Sequence, residues 1–154
     1  MKHNSKDNKI IIRWILLLAW MIFIFYMSSK SGDESLAQSS YIYNIIRSIG
    51  ISLDGHFAEF SMIIIRKGAH FLEYMVLYML SISLISKYVK SKMVYIYPLV
   101  IVLLYACGDE FHQLFVLGRA GRITDVCIDT LGGIFGFVII YTKNNILGYI
   151  NKRD

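Results

Sequence analysis

Residues 10–27, IIIRWILLLAWMIFIFYM, form an apolar run interrupted only by Arg13 near its start. About 20 such residues cross a hydrocarbon core as a helix, which closes its own backbone hydrogen bonds where water is excluded. Three further runs follow, at about 63–86, at 93–108 with a continuation toward 117, and at about 125–141. The second carries Lys67, His70 and Glu73 in its early turns, and the last is rich in glycine and β-branched residues. The chain is 56% apolar and 14% aromatic, with a mean hydropathy of +0.52. That leaves too little polar surface to cover a water-soluble domain of 154 residues. The predicted fold is all-α, a polytopic membrane protein built as a four-transmembrane-helix bundle, with residues 1–154 as a single domain.

The long connection between the first two runs opens as SSKSGDESLAQSS (28–40) and continues as YIYNIIRSIGISLDGHFAEF (41–60). Ser31 and Glu34 have capping-box spacing, and Leu36, Ile42, Tyr43, Ile46 and Ile49 recur at helical intervals. An interfacial amphipathic helix is predicted here, serving either as a lid over one membrane face or as a surface segment that buries its apolar side. Gly50 and Gly55 flank an expected turn.

Lys and Arg collect in short cytoplasmic segments, so their distribution sets the orientation. Ten lie in the N-terminal segment, the second-to-third connection and the C-terminal segment, against two acids, for a net +8; the other side has six against nine acids, for −3. Both termini are therefore expected in the cytoplasm, and the first run as an uncleaved helix, since no small-residue cleavage pattern closes it. The basic excess reflects topology and anionic lipid; no nucleic-acid partner is expected. Cys107 and Cys127 fall near the outer face, where a bridge between the third and fourth spans and two unpaired core thiols are both open.

Charges within a span cost about 2.5–3.5 kcal/mol each at its centre on insertion scales, and so they face the bundle interior. RKGAHFLEY (66–74) places Lys67, His70 and Glu73 on a drifting stripe that Tyr74 and Tyr78 extend inward. YACGDEFHQLF (105–115) brings Tyr105, Asp109, His112 and Gln113 to one side, with Glu110 pointing elsewhere. RITDVCIDTLGGIFG (122–136) aligns Asp125 and Asp129 above Gly132 and Gly136, small residues that let a neighbouring helix approach. Arg119 and Arg122 sit in the glycine-bounded loop VLGRAGRIT (116–124), either to bind a carboxylate or phosphate or to neutralise the nearby acids. His70 with Glu73, and Asp109 with His112, are spaced to put two ligands on one helix face. No protease-type metal motif accompanies them, and neither a metal nor any other cofactor is expected. A Gly-x-Ser-x-Gly elbow, a phosphate-binding loop and a dinucleotide fingerprint are also absent from the sequence.

These segments together resemble the VanZ-like family of small bacterial membrane proteins. FYMSSKSGDESLAQSS (25–40) resembles its serine-rich segment, RKGAHFLEY its Lys-x-x-His-x-x-x-Tyr segment, and GDEFHQLFVLGRAGRITDVCIDTLGGIFG (108–136) its most distinctive stretch. The last supplies counterparts for Asp109, Glu110, Gln113, Gly118, Arg119, Gly121, Asp125, Thr130 and Gly132. Leu117 stands where Pro is expected, and Arg122 and Asp129 where the family often has small or amide residues. The resemblance implies a bacterial plasma-membrane location and, for the name-giving member, a part in resistance to the glycopeptide teicoplanin.

The leading functional expectation is an accessory protein, not an enzyme. Its extracytoplasmic cluster of Lys67, His70, Glu73, Tyr74, Asp109, Glu110, Gln113, Arg119, Arg122, Asp125 and Asp129 is expected to engage a lipid-linked wall precursor or a phospholipid headgroup. An intramembrane hydrolase or transferase, with Glu73 or His70 as base, is the alternative. A structural subunit, partnered by another membrane protein or by a second copy of the chain, is the third class.

Overall fold

The computed structural model describes residues 2–48 and 56–150, with side chains for 7–48 and 60–146. Five α-helices account for most of them: α1 (Lys2–Ser28), α2 (Gly32–Ser48), α3 (His56–Ile85), α4 (Ile96–Gln113) and α5 (Ile123–Ile150). A short 3-10 turn, Lys92–Val94, precedes α4, and no strand occurs among the described residues. All except α2 are long and apolar enough to cross a membrane. The helices exceed the apolar runs at several ends because helix formation continues into polar flanks: α3 starts before Ile63 and α5 extends past Tyr141. The turn expected at Gly50 and Gly55 lies outside the described residues.

The helices run up, down, up, down. At one end the Arg13 guanidinium donates to the Ser83 carbonyl and to Ser83 Oγ at 2.9 Å, tying the start of α1 to the end of α3. Trp14 donates to the Tyr88 hydroxyl at 3.4 Å, and Asn144 to the Tyr95 hydroxyl at 3.1 Å. At the other end Gln113 donates to Ser28 Oγ at 2.9 Å, joining the ends of α1 and α4, and Lys67 meets Asp125 near the starts of α3 and α5. α3 and α5 therefore run parallel to each other and opposite to α1 and α4. Lys87, Lys90, Lys92 and Lys143 belong to the Arg13 end, while the acids of α3, α4 and α5 gather at the opposite one with Arg66 and the α4–α5 loop residues Arg119 and Arg122.

α3 lies at the centre, packing most extensively on α5 and also on α1, α2 and α4. Its Tyr74, Leu77, Tyr78 and Ile82 are buried against Leu17 and Ile24 of α1 and Val102 and Ala106 of α4. Close approach of α5 depends on the predicted glycine stripe. A Cβ on Gly132 would collide with the Phe71 carbonyl, and one on Gly136 would come within 3.0 Å of the Met75 carbonyl. Apolar residues such as Ile22, Leu104 and Phe111 point outward at 65–68% exposure, as a lipid-solvated surface requires.

The α1–α2 junction is locally encoded. The Ser31 N–H donates to the Glu34 carboxylate at 2.9 Å and the Glu34 N–H donates to Ser31 Oγ at 3.3 Å, completing the predicted capping box. That backbone N–H, and then the Ser31 hydroxyl, hold the Glu34 carboxyl below the usual carboxylate range. α2 packs on α3 through its small polar residues and turns its apolar side away from the bundle, as a membrane-surface helix does. Ser35 and Ser39 are its buried residues, whereas Leu36, Ile42 and Ile45 remain exposed. Small serines fit against α3, with Ser40 Oγ donating to the Met62 thioether Sδ at 3.1 Å, and the apolar face is left outward for lipid.

Cys107 and Cys127 are exposed and unpaired. The expectations of a bridge and of core thiols are both corrected: each cysteine lies on the outward side of its helix, beside the residue that packs inward, Ala106 on α4 and Val126 on α5.

Candidate functional site

At the polar end, α3, α4 and α5 each turn an ionisable residue toward a shared interior. His70 Nδ1 lies 3.5 Å from Asp129 Oδ1, and Asp129 is fully buried. Asp109 of α4 is 4% exposed and completes a group whose candidate ligand atoms all fall within 4.8 Å of one another. The periodicities of three helices, each legible alone, meet here only through the parallel register of α3 and α5. Gln113 braces the group, donating to Ser28 Oγ at 2.9 Å and more weakly to Asp109 Oδ2 at 3.5 Å. Tyr74, buried beneath it, interacts electrostatically with both aspartates.

Lys67 and Asp125 form a separate pair one turn outward, at 2.6 Å. Glu110 is buried facing away from the cluster, and its Oε2 accepts the Arg122 N–H at 2.7 Å, so it holds the α4–α5 loop. His112 also stands apart, its ring 4.5 Å from that of Phe25. The acidic group brought together thus contains Asp109 and Asp129 with His70, while Glu73 lines an adjoining cleft.

The α4–α5 loop carries the cations over this cluster. Gly118 adopts φ +71°, a region open to glycine, and Gly32 donates its N–H to the Leu117 carbonyl at 3.0 Å. The α1–α2 turn and the α4–α5 loop thereby meet glycine to glycine; a Cβ on Gly32 would strike the Gly118 carbonyl. Arg119 Nε donates to the Lys30 carbonyl at 3.2 Å. Among the described residues no carboxylate lies within ion-pair distance of the Arg119 or Arg122 guanidinium, although Asp109, Glu110 and Asp125 are near enough to attract Arg119.

Two clefts open between these groups, the first polar and the second mainly apolar. One of about 160 Å³ is lined by Arg66, Arg119, Arg122, Gln113 and Asp125; another, of about 70 Å³, leads past Arg66, Arg119 and Glu73 to His70. Burial, and next the neighbouring Arg66, lower the Arg119 pKa from its usual value, a crowding of cations that an anion relieves. Arg66 also borders an apolar groove of about 260 Å³ formed by Leu36, Met62 and Ile63. Its importance was not visible in the sequence, where it is one more basic residue beside Lys67. Ser28, the partner of Gln113, was equally hidden in a serine-rich run.

The fold and site define a multi-pass helical membrane protein with an arginine-lined cleft above a buried His-Asp-Asp group. A model of the VanZ/LLP1 family matches residues 13–146, nearly the whole chain, and the protein belongs to that family. The match includes every candidate residue described above. Neither the curated proteins nor the solved structures contain a match.

Proposed function

We propose that the protein is an accessory factor that binds the anionic headgroup of an envelope lipid, with a lipid-linked wall precursor as the preferred class. The observation that carries this reading is the position of Arg66. It borders both the polar cleft it shares with Arg119 and Arg122 and the apolar groove beside α2. A phosphate in the cleft accepts charge-assisted hydrogen bonds from guanidinium groups, and its hydrocarbon chain continues along the groove without leaving apolar surroundings. A second apolar hollow, of about 430 Å³ over Met27, Tyr41 and Ile42, extends the surface available to a long chain. Lys67 remains engaged by Asp125 and acts as a spectator to the phosphate.

In this reading the protein resides in the bacterial plasma membrane with both termini in the cytoplasm, following the excess of Lys and Arg at the Arg13 end. Membership of the VanZ/LLP1 family adds teicoplanin susceptibility as the phenotype to follow. Orientation is checked by labelling single cysteines at exposed positions in whole cells, in a chain lacking Cys107 and Cys127. Ala120→Cys is expected to react with an impermeant maleimide from outside, and Ser91→Cys only after the cells are opened. The reverse pattern moves the cleft to the cytoplasm and removes wall precursors as ligands.

Binding is tested with the purified chain in nanodiscs, using a polyprenyl pyrophosphate and the corresponding neutral polyprenol. The pyrophosphate is expected to bind and the alcohol not. Combined replacement of Arg66, Arg119 and Arg122 by alanine is expected to abolish the difference. Equal binding of both lipids would sink the headgroup assignment, while release of phosphate from the substrate would favour the hydrolase or transferase reading, with His70 or Glu73 as base.

A further inference from the structure

We infer that His70, Asp109 and Asp129 bind a divalent transition-metal ion of the zinc or manganese class. This inference is independent of what occupies the arginine cleft. It rests on three observations. The first is the ligand set: one imidazole nitrogen and two carboxylate oxygens, drawn from three helices, with ligand atoms within 4.8 Å of one another. A metal about 2.0–2.2 Å from each atom gathers such donors into one coordination shell, and modest side-chain rotation suffices. One nitrogen with two oxygens suits zinc or manganese, whereas calcium and magnesium favour all-oxygen shells.

The second is the state of the donors. Asp129 is fully buried; its Oδ1 faces only His70 Nδ1, at the long distance of 3.5 Å, and its Oδ2 and Asp109 Oδ1 have no hydrogen-bond partner. Buried carboxylates are expensive unless paired with a cation or hydrogen-bonded. Among the described residues His70 is the one cationic group within ion-pair distance of either aspartate: Lys67 contacts Asp125, and no arginine guanidinium comes that close. His70, 3.5 Å from Asp129, offers at most one positive charge to two aspartates, with Glu73 adding a further acid to the same surroundings. A divalent ion balances the two aspartates with a neutral His70, in one coordination event.

The third is access. A narrow opening bounded by Arg66, Lys67, Arg119, Asp125 and Ile128 reaches both His70 and Asp129. Three protein ligands leave at least one coordination position for a further group, as in metal sites that bind an exogenous ligand. Gln113, fixed between Ser28 and Asp109, orients one carboxylate from the outer shell.

The test uses tag-free, full-length protein in detergent, stripped with chelator and titrated with Co²⁺. One Co²⁺ per chain is expected, with visible absorption that Zn²⁺ abolishes. His70→Gln and Asp129→Asn are each expected to weaken binding by more than about 100-fold, beyond the usual cost of losing an outer-shell partner. His112→Gln and the double change Cys107→Ser with Cys127→Ser are expected to leave it intact. Circular dichroism and size-exclusion profiles establish folding, and either ligand variant that folds suffices for the reading. Absence of stoichiometric Co²⁺, unchanged affinity in a folded His70→Gln or Asp129→Asn chain, or loss of binding on replacing His112 or the cysteines overturns the site.

Discussion

Gly132→Val is expected to be the most damaging single substitution for the fold, lowering stability by about 3 kcal/mol or more, at the upper end of the cost of overpacking. The reason is the kind of atom the new side chain meets. A Cβ at this position would run into the Phe71 backbone carbonyl, which cannot swing aside as the end of a flexible side chain can. Relief requires α5 to move off α3, across the most extensive helix interface in the molecule. Gly68→Ala and Gly108→Ala provide the contrast, since a Cβ at either position meets nothing within 4 Å. Those changes are expected to be neutral or to stabilise by up to about 1 kcal/mol through helix propensity. Thermal unfolding in detergent, followed by circular dichroism, measures all three. A Gly132→Val chain melting with the wild type would contradict the close α3–α5 approach. The same separation would pull His70 from Asp129, so loss of metal binding is expected to accompany loss of stability.

Arg119→Ala is expected to have the largest effect of any single arginine on lipid binding, weakening it roughly 10-fold to 150-fold, the equivalent of about 1.5–3 kcal/mol for a hydrogen bond to a charged group. Arg119 borders both clefts, whereas Arg122 borders the wider, polar one alone and is exposed. Partial burial reduces solvent screening and makes its charge count for more. Arg122→Ala is accordingly expected to cost less and to lose more of its effect as salt is raised. Arg119→Lys retains the charge but loses the planar pair of donors, and is expected to recover only part of the affinity. Because Arg119 Nε also donates to the Lys30 carbonyl, unfolding temperatures must be measured alongside binding. Unchanged binding of the pyrophosphate lipid in a folded Arg119→Ala chain would remove this residue from the headgroup site.

Glu110 and His112 illustrate how far helix periodicity reaches toward the site. Their spacing places Glu110 off the face shared by Asp109 and Gln113, and the structure puts its carboxylate on the Arg122 N–H. His112 shares a helical side with Asp109 by spacing, yet its ring lies against Phe25 of α1, and the second acid of the group comes from α5 as Asp129. Periodicity assigns a residue to a sector of its own helix; only the neighbouring helices decide whether that sector is interior. The same limit applies to α2, whose apolar spacing marks the side turned to lipid, whereas only the structure shows that its serines pack on α3. In a membrane protein apolar character does not distinguish inside from outside, because lipid solvates it as readily as the core does.

The sequence by itself determined the four spans, the capping box, the glycine stripe and the separation of basic from acidic ends, because each depends on local hydrophobicity, local hydrogen bonding or side-chain size. It also carried the family motifs that the match over residues 13–146 upholds. Tertiary structure alone decided that His70, Asp109 and Asp129 converge, that Arg66 joins a polar cleft to an apolar groove, and that both cysteines face outward. These are properties of helix register and rotation, set by how Gly132 and Gly136 let α5 settle parallel to α3, and no single segment contains them.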